Sequence, residues 1–529
     1  MQTISAASPI QVLSGQITLA SLGKKNLIFG RPGTGKTHTI QALINAYLSS
    51  GERAGANSIM YLTYSKSMAR AAAVKFGLPQ GTMVGTFHSI MSKYLGWKVN
   101  NHNSDESDFL TSEDINSFAS KYGLDVNEKY QSSDYEQEGQ ENFSQLMQAY
   151  SYVKNTLGKR KISEVFDTDR FDPDFIIDRY EKMKEDTGRH DYTDILTHSL
   201  DLIFDPIKLL IIDEAQDLTP LMWKIVGRIE RFAETTVLAG DDMQNIYSFR
   251  GASSAEFILN RNSSRIFHLE KSYRLPMSIK KISDIIADKV PIHEEIEFDH
   301  NGTEGKVFRW SVDDFLKLDG EKWILCRTSF VAERMARILM RYRLPFLPLN
   351  ARHSWLSPWS PSLFEIVNSL ARFPHLKDHD LERVLDVVPA KYLQRGIKTR
   401  VADGEAASII SEYSHGLYGE FDVRYLFRHP LTLDDLLRII DLKPGKKELI
   451  FPYIGKPINE EQIIRLDTIH ASKGMEAKNV AVVTDLTSRP KRNMAINPSD
   501  EHRIFFTAVT RASSTLSLVH LGVGGVYDI

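Results

Sequence analysis

The sequence predicts an α/β protein in which parallel sheets are joined by crossover helices. Three observations support this fold class. Short apolar strands alternate with longer helical patterns, a glycine-rich loop links the first strand to the first helix, and two helical stretches interrupt the alternation. The alternation is typical of parallel sheets, because two parallel strands need a long crossover connection that is usually a helix.

The predicted elements follow one another along the chain. The first strand, residues 26–29, precedes a helix at residues 37–48. Helical periodicity dominates from about residue 94 to 190 and again from about residue 355 to 457, and we expect both stretches to be helical inserts in α/β cores. Further strands are predicted at residues 59–63, 209–212, 236–239, 266–269, 323–326, 480–484 and 516–520.

Composition limits the classes of function. At 529 residues the chain should form several domains, and its formal net charge of −3 means that any nucleic-acid groove must come from local basic patches. The single cysteine, Cys326, excludes an internal disulfide and a cysteine-rich zinc site. No apolar run approaches the ~18 residues of a membrane span, so we expect no membrane partner and a cytoplasmic location.

The glycine-rich loop at residues 30–37 reads Gly-Arg-Pro-Gly-Thr-Gly-Lys-Thr and fits the phosphate-binding pattern G-x-x-x-x-G-K-[ST]. Its glycines let the backbone curl so that N–H groups face phosphate oxygens, and the helix that follows favours an anion at its N-terminus. We therefore expect ATP and Mg²⁺ to bind here. The expected contacts are Gly30, Gly33, Thr34, Gly35, Lys36, which reaches the β- and γ-phosphates, and Thr37, whose hydroxyl binds the metal.

A second pattern places two acids at the end of a strand. The apolar residues 209–212 run directly into Asp213 and Glu214. In enzymes with a phosphate-binding loop, the aspartate that holds Mg²⁺ follows such a strand. We expect Asp213 to bind the metal, directly or through water, and Glu214 to orient and deprotonate the attacking water.

Six further motifs accompany the phosphate-binding loop along the chain. They are Thr-Phe-His-Ser at 86–89, Asp-Glu-Ala-Gln-Asp at 213–217, Gly-Asp-Asp-Met-Gln-Asn-Ile-Tyr-Ser-Phe-Arg-Gly-Ala at 240–252, Ser-Tyr-Arg at 272–274, Asp-Thr-Ile-His-Ala-Ser-Lys-Gly-Met-Glu at 467–476 and Phe-Thr-Ala-Val-Thr-Arg-Ala at 506–512. In these residues and in their order the chain resembles the UvrD/Rep-type superfamily 1 DNA helicases, in a short form, and residues 213–217 resemble the family's second helicase motif. The resemblance implies two RecA-like cores, parallel sheets flanked by helices, with ATP bound between them.

The resemblance also divides the chain into two cores, each with a mainly helical insert. The implied division is a first core at residues 1–93 and 191–273, its insert at 94–190, a second core at 274–354 and 458–529, and a reduced second insert at 355–457.

Several residues take roles at the nucleotide by resemblance. Gln244 is implied to sense the γ-phosphate, and Arg274 and Arg511 to act as arginine fingers from the second core. Tyr273 is implied to stack on adenine, and Glu476 to reach the ribose. Base recognition departs from the family pattern, because His38 stands where relatives commonly carry an arginine against the base. Gln16 is the candidate for the adenine edge, and Gln11 competes with it.

Aromatic and polar residues near the motifs are implied to line a channel for nucleic acid, since single strands are held by stacking bases on aromatic faces above a charged track. Phe249 stands where relatives often carry a tryptophan. The implied channel residues are Tyr64, Thr86, Phe87, His88, Tyr247, Phe249, Arg250 and His470.

The resemblance implies an ATP-dependent 3′→5′ translocase and helicase that acts on single-stranded DNA and on 3′-tailed duplex DNA. The direction comes from residues 244–252, which resemble the 3′→5′ subgroup. The alternative is a DNA-stimulated NTPase subunit that senses DNA for a partner nuclease and unwinds little, because the second insert is reduced. A nuclease or a replication or repair protein is the expected protein partner, and an RNA substrate stays open as a third reading.

Overall fold

The computed structural model describes residues 17–49, 58–78, 82–97, 108–124, 126, 143–166, 168–309, 311–414, 421–442, 444–453 and 455–529. Two six-stranded sheets, each made entirely of parallel strands, form the centres of two α/β cores. The α/β class predicted from the sequence is therefore confirmed. In the described part of the chain, no helix is long and apolar enough to span a membrane.

The first sheet has the strand order β3-β2-β4-β5-β1-β6. Its strands β1, β4 and β5 are almost entirely buried, as expected for a parallel sheet covered on both faces. These three neighbouring strands end side by side, so the loops that follow them meet at one edge of the sheet. The strands are β1 (Lys25–Gly30), β2 (Ile59–Thr63), β3 (Met83–Thr86), β4 (Ile207–Ile212), β5 (Ala233–Gly240) and β6 (Arg265–Leu269).

Helices cover both faces of the first sheet and form its insert. Within the insert, α4 to α6 enclose a separate apolar core that includes Phe118, Leu146 and Tyr180. The helices of this half are α1 (Lys36–Ser49), α2 (Lys66–Lys75), α3 (Phe87–Leu95), α4 (Ser112–Lys121), α5 (Phe143–Asn155), α6 (Pro173–Thr187), α7 (Tyr192–His198), α8 (Pro220–Ile229) and α9 (Ser254–Leu259).

The second sheet has the strand order β7-β13-β11-β8-β10-β9, and a short antiparallel pair, β12 with β14, lies beside it. Cys326 ends β8 and is fully buried, so it packs in the core. The strands are β7 (Lys306–Arg309), β8 (Lys322–Cys326), β9 (Phe346–Leu347), β10 (Ile464–Thr468), β11 (Ala477–Val483), β12 (Asp485–Leu486), β13 (Ala512–Val519) and β14 (Gly525–Val526).

The second insert is helical and shares one continuous apolar core with a face of the second sheet, in which Leu381 and Leu436 of the insert pack with Ile324 and Leu466 of the strands. It is therefore less separate from its core than the first insert. The helices of this half are α10 (Met277–Ala287), α11 (Val312–Leu316), α12 (Ser329–Arg341), α13 (Pro361–Leu370), α14 (Asp378–Asp386), α15 (Ile397–Ala402), α16 (Ala406–Tyr413), α17 (Leu433–Ile439), α18 (Pro444–Ile450), α19 (Ser488–Ile496) and α20 (Pro498–Val509).

Candidate nucleotide site and nucleic-acid channel

The phosphate-binding loop connects β1 to α1 and packs against the segment that carries Arg274. Gly33 and Gly35 have φ angles of +74° and +88°, which glycine adopts without strain. A Cβ at Gly33 would lie 2.3 Å from the Cβ of Arg274, and one at Gly30 would lie 2.5 Å from the Thr34 hydroxyl. The backbone N–H of Tyr273 donates to the Gly33 carbonyl at 2.8 Å. Glycine is therefore required where the loop meets the second core.

Lys36 points its ammonium group into the loop. Its Nζ donates to the Gly30 carbonyl at 2.6 Å. Burial lowers the pKa of Lys36, although the carboxylates of Asp241, Glu214 and Asp213 oppose that shift. The next two residues, Thr37 and His38, are exposed in the first turn of α1. The expected phosphate contacts thus lie on one loop, with a cation facing three acids.

Asp213 and Glu214 follow β4 and have opposite pKa shifts. Burial and the charge of Glu214 raise the pKa of Asp213 to about 6, even though the Tyr61 hydroxyl donates to its Oδ2 at 2.8 Å. Burial alone would raise the pKa of Glu214, but the charges of Lys473 and Lys36 lower that pKa below its ordinary value. Glu214 also holds a left-handed backbone with a φ of +56°, a strain that clusters at functional sites. Glu214 is therefore stabilised as an anion, and beside it lies the buried carboxyl group of Asp213, whose charge Lys36 compensates only in part, which fits a metal ligand.

Gln244 lies between the two cores. Its Nε2 donates to Oδ2 of Asp241 at 2.7 Å, and its Oε1 accepts from Nη2 of Arg511 at 2.7 Å. Arg511 is 1% exposed, and burial lowers its pKa to about 9, so it stays charged at neutral pH. The expected γ-phosphate sensor and one expected arginine finger are thus in direct contact.

Three further residues expected at the nucleotide, Tyr273, Arg274 and Glu476, lie near one another at the edge of the cleft. Arg274 forms an ion pair through its Nε with Glu476 and donates from Nη1 to the Thr510 carbonyl at 3.5 Å. The ring of Tyr273 is 72% exposed, as a surface for stacking requires. In this structure Arg274 and Glu476 are therefore partners of each other. Gln16 and Gln11 lie outside the described residues.

Sequence reasoning missed Arg31, the second residue of the loop. Its buried guanidinium donates from Nη1 to Asp241 at 2.7 Å and to Asp242 at 3.1 Å. Asp241 thereby joins the phosphate-binding loop to Gln244. The adjacent acids after β5 are the only sequence signal of this contact, and nothing in the loop pattern itself pairs them with Arg31.

Sequence reasoning also assigned no role to Lys473, although it lies in a quoted motif. Its Nζ donates to Oδ2 of Asp217 at 2.5 Å and to the Gln244 carbonyl at 2.7 Å. The ammonium group also lies 5.1 Å from the centre of the Tyr247 ring. Lys473 therefore links the second core to the acidic motif of the first core and to the aromatic channel.

The aromatic residues expected at the nucleic acid form one cluster. Tyr64 stacks on Tyr247 with ring centres 4.7 Å apart, and Phe249 meets His470 edge-on at 5.6 Å. The guanidinium of exposed Arg250 lies 5.4 Å from the Phe249 ring. Cavities of about 340 and 510 Å³ lie beside this cluster, and Phe249 borders both. The cluster has the aromatic faces and the cation that a single strand needs.

The three expected channel residues from the Thr-Phe-His-Ser motif, Thr86, Phe87 and His88, differ in their burial and in their contacts. Thr86 is 7% exposed and caps α3 by accepting from the Ser89 N–H, and Phe87 is 1% exposed and packs in the core of the first sheet. Phe87 packs in this core and also borders the 340 Å³ cavity beside the aromatic cluster, so its expected place at the nucleic acid stays a prediction. His88 borders the 340 Å³ cavity, and burial together with Lys66 and Arg250 lowers its pKa to about 4.

The fold and the site together define a P-loop NTPase with two RecA-like cores. Comparison with protein families gives the same result at both ends of the chain. The UvrD/REP helicase N-terminal domain matches residues 14–264, and the UvrD-like helicase C-terminal domain matches residues 464–519. The chain belongs to the UvrD-like helicases, which are ATP-hydrolysing enzymes that act on DNA.

Curated relatives agree with this assignment. The chain is 22% identical to "Putative ATP-dependent DNA helicase YjcD" of Bacillus subtilis, over 93% of this chain and 76% of the relative. It is 20% identical to a "Probable DNA helicase II homolog" of Mycoplasma pneumoniae, over 93% of this chain and 81% of the relative. A protein of the same name from Mycoplasma genitalium is 24% identical, and the match covers 51% of this chain and 41% of that relative.

Proposed function

We propose that this protein uses ATP hydrolysis to move 3′→5′ along single-stranded DNA and to unwind 3′-tailed duplexes. One observation carries the proposal: Gln244, Tyr247 and Phe249 lie on a single short segment that joins the nucleotide cleft to the aromatic channel. A change at the γ-phosphate therefore moves the backbone that presents the channel aromatics.

Hydrolysis uses residues of both cores. Lys36 binds the β- and γ-phosphates, and Glu214 takes the proton of the attacking water. Arg511 and Arg274 neutralise charge in the transition state. Thr37 and Asp213 would hold a Mg²⁺ ion, which neutralises phosphate charge when bound. The raised pKa of Asp213 supports this assignment, because a buried carboxyl group of that kind is stabilised as an anion by a cation.

Movement follows from closure and opening of the cleft. Arg511 reaches Gln244, and Lys473 reaches Asp217, so the second core contacts the first at two points near the cleft. Loss of the γ-phosphate removes the negative charge that Lys36, Arg274 and Arg511 share, so closure of the cleft is weakened. Alternating grip on the strand in the closed and open states then produces steps along DNA.

The test compares duplexes with a 3′ tail, a 5′ tail and no tail. We expect unwinding of the 3′-tailed duplex and little unwinding of the other two, since a 3′→5′ translocase must load on a 3′ tail before it meets the duplex. ATPase activity should be stimulated by single-stranded DNA more than by duplex DNA or RNA. Glu214→Gln is the control that binds ATP without turnover.

Each alternative outcome has a distinct meaning. Unwinding from the 5′ tail would overturn the direction and leave the NTPase intact. Strong stimulation by single-stranded DNA with no unwinding of any duplex would favour the regulatory subunit that serves a partner nuclease. In that case the helical second insert, α13 to α18, is the first surface to test for partner binding.

A further inference from the structure

Arg31 is a buried charge at the nucleotide site that takes no part in the hydrolysis proposed above. Its side chain is 3% exposed, and its guanidinium donates only to groups outside the phosphate-binding loop among its recorded hydrogen bonds. Nη1 donates to Asp241 at 2.7 Å and to Asp242 at 3.1 Å, and Nη2 donates to the Glu294 carbonyl. A buried charge is tolerated when it is paired and hydrogen-bonded. These contacts therefore fix the loop relative to the turn that follows β5.

Asp241 connects Arg31 with the expected γ-phosphate sensor. The carboxylate is fully buried, and while its Oδ1 accepts from Arg31, its Oδ2 accepts from Nε2 of Gln244 at 2.7 Å. Gln244 in turn accepts from Arg511, the expected finger. Because one rigid carboxylate makes both contacts, holding Oδ1 also sets the direction of Oδ2. Arg31 thereby orients the amide that Arg511 contacts.

Asp241 also connects Arg31 with the expected general base. The backbone N–H of Asp241 donates to Oε1 of Gln216 at 3.0 Å, and Nε2 of Gln216 donates to Oε2 of Glu214 at 2.5 Å. Gln216 is fully buried, and a Cβ at Gly240 would overlap its Oε1, so backbone and amide approach closely here. The position of the base thus depends on the same turn that Arg31 holds.

The contact of Arg31 with the Glu294 carbonyl involves a segment that the second core also binds. Arg503 of α20 donates from Nη2 to the Ile292 carbonyl at 2.9 Å. The same helix leads into Arg511. A displacement of Arg31 is therefore also transmitted to the segment that contacts the finger helix.

We propose that Arg31 is a positioning residue for ATP hydrolysis, which acts through Asp241 rather than on the nucleotide. It aligns the base on one side of Asp241 and the sensor with its finger on the other. The inference rests on the proposed function, because it takes Glu214 as the base and Gln244 as the sensor. Catalysis in P-loop NTPases depends almost entirely on positioning and electrostatics, so misalignment lowers turnover more than binding.

The experiment measures kcat and KM for ATP, with and without single-stranded DNA, and the affinity for the fluorescent analogue mant-ATP. Arg31→Lys keeps the charge beside the two acids but lacks the planar fork that reaches Asp241 and the Glu294 carbonyl together. We expect kcat to fall roughly ten- to a hundredfold, as for other small misplacements at an active site. KM and mant-ATP affinity should stay close to the wild-type values. A higher KM at unchanged kcat would make Arg31 a binding residue and overturn the proposal.

A double-variant cycle tests whether the effect passes through Asp241. In the Asp241→Asn background, Arg31→Lys should lower kcat much less than it does in the wild type, because both routes share this carboxylate. Equal losses of kcat in the two backgrounds would show that Arg31 acts independently of Asp241, and the proposal would be wrong.

Arg261→Lys is the matched control, since Arg261 pairs with the side chain of the same Glu294 at 2.9 Å. It should retain the wild-type kcat. Thermal unfolding checks each variant. If Arg31→Lys does not fold, Arg31→Gln/Asp242→Asn replaces it, because this pair of changes removes one charge of each sign and should lower kcat in the same way.

The outcomes separate this inference from the function on which it rests. Wild-type kcat in Arg31→Lys, with turnover lost in Glu214→Gln, overturns the positioning role alone. Wild-type turnover in Glu214→Gln overturns the proposed base and the alignment that Arg31 is inferred to provide. Failure of the wild type to unwind a 3′-tailed duplex, with the kcat loss of Arg31→Lys intact, overturns the proposed function and leaves the positioning role in place.

Discussion

Lys36 and Glu214 act on the nucleotide in different ways, and substitution should separate them. Lys36→Ala removes the ammonium group that faces three carboxylates, so ATP affinity should fall. Glu214→Gln keeps the shape of the side chain and cannot take a proton, so ATP should bind and persist unhydrolysed. Nucleotide binding and steady-state turnover, measured on both variants, check the assignment. Wild-type turnover in Glu214→Gln would show that another group is the base.

Arg511 and Arg274 should matter in the transition state more than in binding. Arginine fingers contribute about 10³–10⁵ in rate in well-studied NTPases. Each change to alanine should therefore lower turnover much more than ATP affinity. Arg511→Lys should not restore turnover, because lysine lacks the planar fork that contacts both Gln244 and backbone carbonyls. Intact turnover in both alanine variants would show that the second core does not complete the site.

His88 should make stability depend on pH in the acid range. Its pKa in the folded protein is lowered to about 4, below the ordinary value of 6.5, by burial and nearby cations. The folded state therefore prefers the neutral ring. This contribution to stability is present above pH 6.5 and is lost as the pH falls from 6.5 toward 4. His88→Gln should show a smaller fall in melting temperature between pH 7.5 and pH 5 than the wild type, and equal falls would contradict the assignment.

At the scale of residues, the sequence predicts those that belong to a local pattern. Lys36, Asp213 and Gln244 each stand at a fixed place in a motif, and the structure brings all three to one edge of the first sheet. Arg31 and its two acidic partners are more than two hundred positions apart. No local spacing encodes such a pair, so only the three-dimensional structure reveals it. The chemical roles of these residues stay predictions.

At the scale of elements, the strand that ends at Gly240 leads into the turn that presents Phe249. If a base stacks on that ring, Phe249→Ala should weaken binding of single-stranded DNA by about 1–3 kcal/mol. ATP hydrolysis without DNA should survive the change. Phe451→Ala is the control, because Phe451 is 65% exposed in the second insert and away from the channel. Unchanged DNA binding together with a lower melting temperature would make Phe249 a packing residue.

The prediction of elements succeeded where strands are long and apolar and failed where they are short or mixed. Strands β1, β2, β4, β5, β6, β8, β11 and β13 lie at the predicted places. The prediction missed β3, which contains Gly85, and β9, which has only two residues. It also missed β7 and β10, whose Lys306, Arg309 and Arg465 interrupt the apolar pattern. Each of these strands is held by its parallel neighbour, and that pairing is invisible in a local window.

At the scale of the whole molecule, contacts across the cleft set how the two cores meet. Arg511 reaches Gln244, Lys473 reaches Asp217, and Arg503 donates to the Asp242 carbonyl at 3.0 Å. All three contacts pair a cation of the second core with the end of a strand or motif in the first. Hydrogen bonds from three cations therefore hold the cleft closed, one of them in an ion pair, and each cation can be substituted separately to weaken closure.

Lys473 provides the sharpest test of this closure. Removing one partner of a buried ion pair costs about 3–5 kcal/mol, because the other charge stays buried. Lys473→Met leaves Asp217, whose pKa burial already raises to about 7, without its cation. Because Lys473 lowers this pKa, its removal raises the pKa of Asp217 further, so the folded state prefers the neutral acid and loses that stabilisation as the pH rises. Lys473→Met should therefore lower the melting temperature more at pH 8 than at pH 6.

The double variant Asp217→Asn/Lys473→Met supplies the control, because it removes both charges and leaves a neutral amide in the same space. Its melting temperature should lie above that of Lys473→Met at pH 8. The extra loss of melting temperature that Lys473→Met shows at pH 8 compared with pH 6 should be absent from the double variant. Small-angle scattering should show a larger radius of gyration for Lys473→Met than for the wild type, since one of the closing contacts is lost. If single and double variants unfold alike at both pH values, the Lys473–Asp217 pair does not hold the cores together.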